Sequence, residues 1–169
     1  MRCFIGVPVT GELASTSAVL ANGLPAATPV RNLHMTLAFL GNCRPEQLEL
    51  LNSELAQLAQ QSSPFAMYFT QCEPFPASEG PFLALTGEPS AALSHLHQQL
   101  NERLAGLGFE RESSRFRPHI TLAKPGHAQP TKTGEWLLAV DTLWLYESQL
   151  DANGRPTYTS LSLFPFSCP

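Results

Sequence analysis

The sequence has no C-x-x-C pair, no excess of positive charge, and no apolar run approaching the roughly 20 residues that span a bilayer. Its four cysteines, Cys3, Cys43, Cys72 and Cys168, are scattered through 169 residues. That spacing suits neither a zinc site nor the disulfide framework of a small secreted domain, and buried free thiols are expected. The net charge of −4 excludes tight non-specific binding to long nucleic acid, which needs many phosphate contacts. The segment Met1 to Val9 is too short for a signal-peptide core and has no small-residue cleavage site, so a cytoplasmic protein is expected. Low-complexity segments and linkers are also missing. What is present is an ordinary globular composition, 43% hydrophobic, enough for a real core in one domain of two lobes. One local basic patch stands out: Arg111, Arg115, Arg117 and Lys124 against Glu112 alone. It could hold a small phosphate-bearing end.

Hydrophobic patterning predicts strands over residues 2–8, 33–41, 65–71, 81–87, 116–124, 136–147 and 156–164. It predicts helices over residues 11–22, after a possible Thr10 cap, and from Pro45, with Leu48, Leu51, Leu55 and Leu58 as the inward stripe. A third helix is predicted to open at Pro89 and turn Leu93, Leu96, Leu100 and Leu104 inward, with Gly106 near its end. The lack of strict β-α alternation favours α+β over a doubly wound sheet.

One short pattern occurs twice, as His34-Met-Thr36-Leu-Ala and His119-Ile-Thr121-Leu-Ala. From the composition, chance predicts about 0.05 H-x-T-L matches. The copies lie 85 residues apart, with an amphipathic helix after the first and before the second, as a duplicated half with divergent loops would give. In a strand, residues i and i+2 share a face. His34 and Thr36 therefore point one way and Met35 and Leu37 the other; His119 and Thr121 oppose Ile120 and Leu122 in the same manner. Two such strands across a cleft supply two proton-transfer groups and two hydroxyl donors around one object. A phosphate suits them, its non-bridging oxygens on the hydroxyls and its attacking and leaving oxygens flanked by imidazoles that titrate near neutral pH.

Arg117, two residues before His119, has the parity to face the same phosphate. Lys124 has the opposite parity and reaches the site only if the strand twists or ends early. Pro118 cannot donate to a ladder, so this strand is expected to begin there or lie at an edge. His95 and His97 fall on different helix faces and make a poor metal pair. His97 reads as a core-edge residue, His127 as an exposed loop residue, and Trp136, Trp144 and Tyr146 as packing residues.

These residues resemble the 2H phosphoesterase superfamily, and the chain looks like its bacterial RNA 2′,3′-cyclic phosphodiesterases, also called 2′-5′ RNA ligase-like proteins. The likeness is carried by Arg2-Cys-Phe-Ile-Gly-Val-Pro8, Asn32-Leu-His-Met-Thr-Leu-Ala-Phe-Leu-Gly41, Phe116-Arg-Pro-His-Ile-Thr-Leu-Ala-Lys124, and Leu145-Tyr-Glu-Ser-Gln-Leu150 followed by Tyr158. It implies a bilobal α+β fold, with two antiparallel sheets forming a central cleft and helices on the outer faces. It also implies catalysis by His34 and His119, phosphate binding by Thr36 and Thr121, and no metal or other cofactor. The expected partners are RNA 3′ ends or nucleotides bearing a 2′,3′-cyclic phosphate, met by a monomer away from membranes. Where such proteins commonly carry Arg, this chain has Lys124, which keeps the charge and loses bidentate contact. A cation at Arg117 should lower the pKa of His119 and make it the base, with His34 as the acid. Ligation in reverse, a small cyclic nucleotide substrate, and a nucleotide-binding module without turnover stay open, because the motif describes phosphate chemistry rather than the group attached.

Overall fold

The computed structural model describes residues 1–112 and 114–169. Strand β1 (Arg2–Pro8), helix α1 (Gly11–Leu20), a 3-10 turn (Val30–Asn32), β2 (His34–Asn42) and α2 (Pro45–Gln60) come first. They are followed by β3 (Phe65–Phe75), β4 (Phe82–Thr86), α3 (Ala91–Gly106), β5 (His119–Ala123), β6 (Lys132–Val140), β7 (Thr142–Leu150) and β8 (Pro156–Pro165). The α+β class expected from the patterning is what is found. Pro45 does open α2 at its first turn. Helix α3 starts later than Pro89, because Ser90 is the cap and its hydroxyl accepts the Leu93 N–H at 3.1 Å.

The strands form one eight-stranded sheet, β6-β3-β4-β5-β2-β1-β7-β8, where two sheets were expected. Every neighbouring pair is antiparallel. The join in the middle is narrow: among the described residues, β2 and β5 pair through Met35 and Ile120 alone. A physical reason lies in the segment before β2. Lys124 N–H donates to the Ala26 carbonyl and Thr28 N–H to the Leu122 carbonyl, so residues 26–28 occupy the β5 edge that β2 would otherwise continue along. The Thr28 hydroxyl adds a bond to the Thr121 carbonyl at 3.0 Å. Strand β5 begins at His119, as Pro118 requires, but it is interior, between β4 and β2, and not an edge.

The predicted strand over residues 136–147 is two strands. It breaks at Asp141, whose carbonyl accepts the Phe166 N–H at 2.8 Å. Strand β6 closes one edge of the sheet beside β3, while β7 pairs with β1 on the far side. A period-two pattern continues through the break, so it could not announce the crossing.

The helices cover one sheet face. Leu51, Leu55 and Leu58 of α2 and Leu93, Leu96, Leu100 and Leu104 of α3 are buried. They share one core with Ile5, Met35, Leu85, Ile120, Leu122 and Leu145. Leu48, the fourth member of the predicted α2 stripe, is only partly buried. Cys3, Cys43 and Cys72 are buried free thiols, and Cys168 is a partly exposed one. No described helix is long and apolar enough to cross a membrane.

Candidate active site

The parity argument holds at both motifs. Met35 and Ile120 are fully buried, and Leu37 and Leu122 nearly so. His34, Thr36, His119 and Thr121 lie half-buried on the face away from the helices. The Met35–Ile120 pair fixes the register between the motifs. One antiparallel step either way sets His34 opposite Thr121 and Thr36 opposite His119, so the two motifs meet across the join in a two-fold related arrangement.

Both imidazoles are held by the same local device. His34 Nδ1 lies 2.7 Å from the Asn32 carbonyl, and His119 Nδ1 lies 2.9 Å from the Arg117 carbonyl. A carbonyl only accepts, so Nδ1 carries the hydrogen in each ring and Nε2 is the nitrogen left for proton transfer. The Thr36 hydroxyl sits 3.0 Å from His34 Nε2 and donates to it when the ring is neutral. Asn32 is itself anchored, its side-chain amide donating to the Pro156 carbonyl of β8.

Aromatic rings that the motif does not contain set the environment. Phe4 lies 4.8 Å from the His34 ring, and Tyr158 meets it edge-on at 5.1 Å. Tyr146 lies 5.7 Å away and stacks on Phe4. Burial pushes the phenols of Tyr146 and Tyr158 up, so both stay neutral. Tyr146 is thus a packing residue, as read from the sequence, but packing beside the site. On the other side of the join, Phe75 stacks on His119 with centroids 4.1 Å apart. Gly6 pairs with Thr36. A Cβ there would come within 2.8 Å of the Met35 carbonyl oxygen, so only glycine lets β1 approach β2 this closely.

The pKa values of both histidines are lowered. For each, burial is the leading cause, because it disfavours the cation. The bond from Nδ1 to a carbonyl works the other way. A positive charge on His119 further disfavours one on His34. Arg117 lowers His119 as expected, though less than burial does. The expectation that His34 would lack such depression is corrected, since its aromatic enclosure supplies it.

Arg117 is brought beside His119, but its guanidinium is already engaged. It donates to the Pro76 carbonyl at 2.7 Å and lies 4.6 Å from the centre of the Phe75 ring. Lys124 lies beyond the end of β5, exposed, its ammonium 5.9 Å from the Phe82 ring. His97 stacks on Phe116 at the core edge, and His127 is exposed. Among the described residues no three His, Cys, Asp or Glu side chains are grouped as metal ligands.

Residues 8–152 match the family described as the 2′-5′ RNA ligase superfamily. The chain belongs to that superfamily, whose members are 2H phosphoesterases. Among its relatives is the RNA 2′,3′-cyclic phosphodiesterase of Bacillus subtilis strain 168, 28% identical over 97% of this chain and 96% of that protein. A protein of the same name from Geobacillus stearothermophilus is also 28% identical over 96% of this chain. There the chain spans only 56% of the relative's length. Among solved structures, E. coli LigT complexed with 3′-AMP superposes with a TM-score of 0.79 at 25% identity, covering 99% of this chain and 98% of that one.

Within this superfamily fold, both imidazoles can be kept while the two threonines are changed, though Thr36→Ala also removes the hydroxyl partner of His34 Nε2. Thr36→Ala and Thr121→Ala each remove one hydroxyl donor from the open face and leave the buried neighbours in place. A donor to a charged oxygen is worth roughly 1.5–3 kcal/mol, so threonines that hold a phosphate, as the sequence reading expects, should each cost kcat/KM about 10- to 150-fold when truncated. Steady-state kinetics of both variants give the measurement, and an unchanged kcat/KM would remove that threonine from the site.

Proposed function

We propose that the protein hydrolyses 2′,3′-cyclic phosphates of RNA ends or nucleosides to 2′-phosphomonoesters, by acid–base catalysis with His34 and His119 and without a metal. The observation that carries this reading is the pair of H-x-T motifs facing each other across one strand join, each imidazole pinned through Nδ1. The relatives named as RNA 2′,3′-cyclic phosphodiesterases and the LigT complex with 3′-AMP support it.

In this reading the cyclic phosphate lies over the join, in a cleft between two pseudo-equivalent lobes of a single domain. The hydroxyls of Thr36 and Thr121 donate to its two non-bridging oxygens. His119 Nε2 takes a proton from water, whose oxygen attacks phosphorus. His34, as imidazolium, gives its Nε2 proton to the departing ribose 3′-oxygen. One P–O bond forms and one breaks, and the product is a 2′-phosphomonoester with a free 3′-hydroxyl. Burial, with the charge of Arg117 adding to it, holds the pKa of His119 below that of a lone imidazole and so favours it as the base. Arg117 and Lys124 add positive potential at the rim. Both catalytic groups come from one chain, so a monomer suffices, and a cytoplasmic setting suits an RNA substrate and free thiols.

The test is an assay of the purified protein in EDTA with a nucleoside 2′,3′-cyclic phosphate, identifying the product isomer. Turnover to the 2′-phosphate is expected. Activity lost in chelator and restored by a divalent ion, or a 3′-phosphate product, would overturn the reading. The same assay across pH should give a bell in kcat/KM, since one ring must be neutral and the other protonated. Both rings are depressed, so the optimum should lie below the ordinary imidazole value of about 6.5. Bound phosphate favours both cations, so the kcat profile should move to higher pH. A kcat/KM optimum well above that value would contradict the assignment.

A further inference from the structure

A polar groove of about 320 Å³ opens beside His119. Its floor is the face of β3 and β4 that continues the catalytic surface. Thr86 pairs with His119, Gln71 pairs with Thr86, and Glu73 pairs with Ala84, itself opposite Thr121. The opposing wall is the segment entering β5, with Arg115 and Arg117, and the far rim carries Glu88. The volume is near the lower end of what binding pockets offer and fits one small group.

We infer that this groove is a second subsite, taking the nucleotide on the 5′ side of the nucleoside that carries the cyclic phosphate in an RNA 3′ end. The inference rests on the cyclic phosphodiesterase reading of the site above and names which part of the substrate lies where. Two observations carry it. Pro118 disfavours helical backbone at Arg117, and Arg117 and Arg115, two and four residues before His119, both line the groove. The Arg117 guanidinium is engaged with the Pro76 carbonyl and the Phe75 ring, so Arg115 is the one suited to hold a phosphodiester oxygen pair. The ion pair that occupies Arg115, with Glu88, lies between side chains 74% and 81% exposed, so a phosphate can displace it at little cost.

The charge balance limits the occupant. Two arginines and two carboxylates, Glu73 and Glu88, line the groove, so its formal charge is zero and it offers no net attraction to a longer polyanion. Gln71, Glu73 and Thr86 offer amide, carboxylate and hydroxyl groups to a sugar or base edge. Because the occupant is covalently joined to the phosphate at His119, its binding contributes to productive placement.

The experiment compares kcat/KM for a nucleoside 2′,3′-cyclic phosphate and for a dinucleotide ending in the same nucleoside cyclic phosphate. The protein should prefer the dinucleotide by about tenfold or more. Arg115→Ala should lower the ratio of dinucleotide to mononucleotide kcat/KM by roughly five- to tenfold, chiefly through KM. Glu88→Gln, which removes the competing carboxylate, should raise it. Equal kcat/KM on both substrates, or a ratio unchanged in both variants, overturns the subsite while leaving the phosphodiesterase reading intact. No turnover of either substrate overturns that reading and the subsite with it.

Discussion

His34→Ala and His119→Ala should each reduce kcat by about 10²–10⁴-fold. Both rings sit half-buried on the face away from the helices, outside the core that Met35 and Ile120 enter. Thermal melts should therefore stay close to wild type. The two groups act on one transition state, so the double variant should lose far less than the product of the single losses. A substrate with an activated leaving group separates the roles. It needs little protonation as it departs, and so should rescue His34→Ala much more than His119→Ala. Water still has to be deprotonated, and no leaving group replaces that. Rescue of His119→Ala instead would exchange the acid and the base; near-full turnover by either variant would end the two-histidine mechanism.

The catalytic face was legible because strand parity is a strictly local property. Met35 and Ile120 are buried for the reason that makes His34 and His119 accessible, and a repeated five-residue pattern carries that information without any tertiary contact. What surrounds each ring was not legible. Phe75 reaches His119 only because β3 pairs with β4 and β4 with β5, and the second of these pairings joins strands far apart in the chain. The aromatic enclosure of His34 comes likewise from β1, β7 and β8. That enclosure depresses His34 as well as His119, which the presence of Arg117 beside one ring and its absence beside the other did not foretell. The two strands hidden in residues 136–147 illustrate the same limit. Local alternation gave the strand state correctly, yet only Asp141 interrupts it, and the sides of the sheet taken by β6 and β7 depend on pairing partners.

Met35→Ala should damage stability and catalysis together, and the second loss should exceed what the first explains. Met35 is fully buried, and truncating such a side chain leaves a cavity costing about 2–5 kcal/mol. For a domain of this size that is a drop in Tm of roughly 4–20 °C. The position is special because β2 and β5 pair, among the described residues, only through Met35 and Ile120. No run of ladder bonds surrounds the pair to keep the strands in register when its packing loosens. His34 and Thr36 flank Met35 directly, and His119 and Thr121 flank Ile120, so a shift at the join moves all four groups. A misplacement of about 1 Å at reacting atoms can cost on the order of 10²-fold. Leu55→Ala is the control: Leu55 is equally buried, in α2, within the same core and away from the join. Both variants should melt early, but at a temperature where both are folded only Met35→Ala should have lost kcat by tenfold or more. Equal kcat in the two variants would mean that the narrow join does not set the alignment of the two motifs.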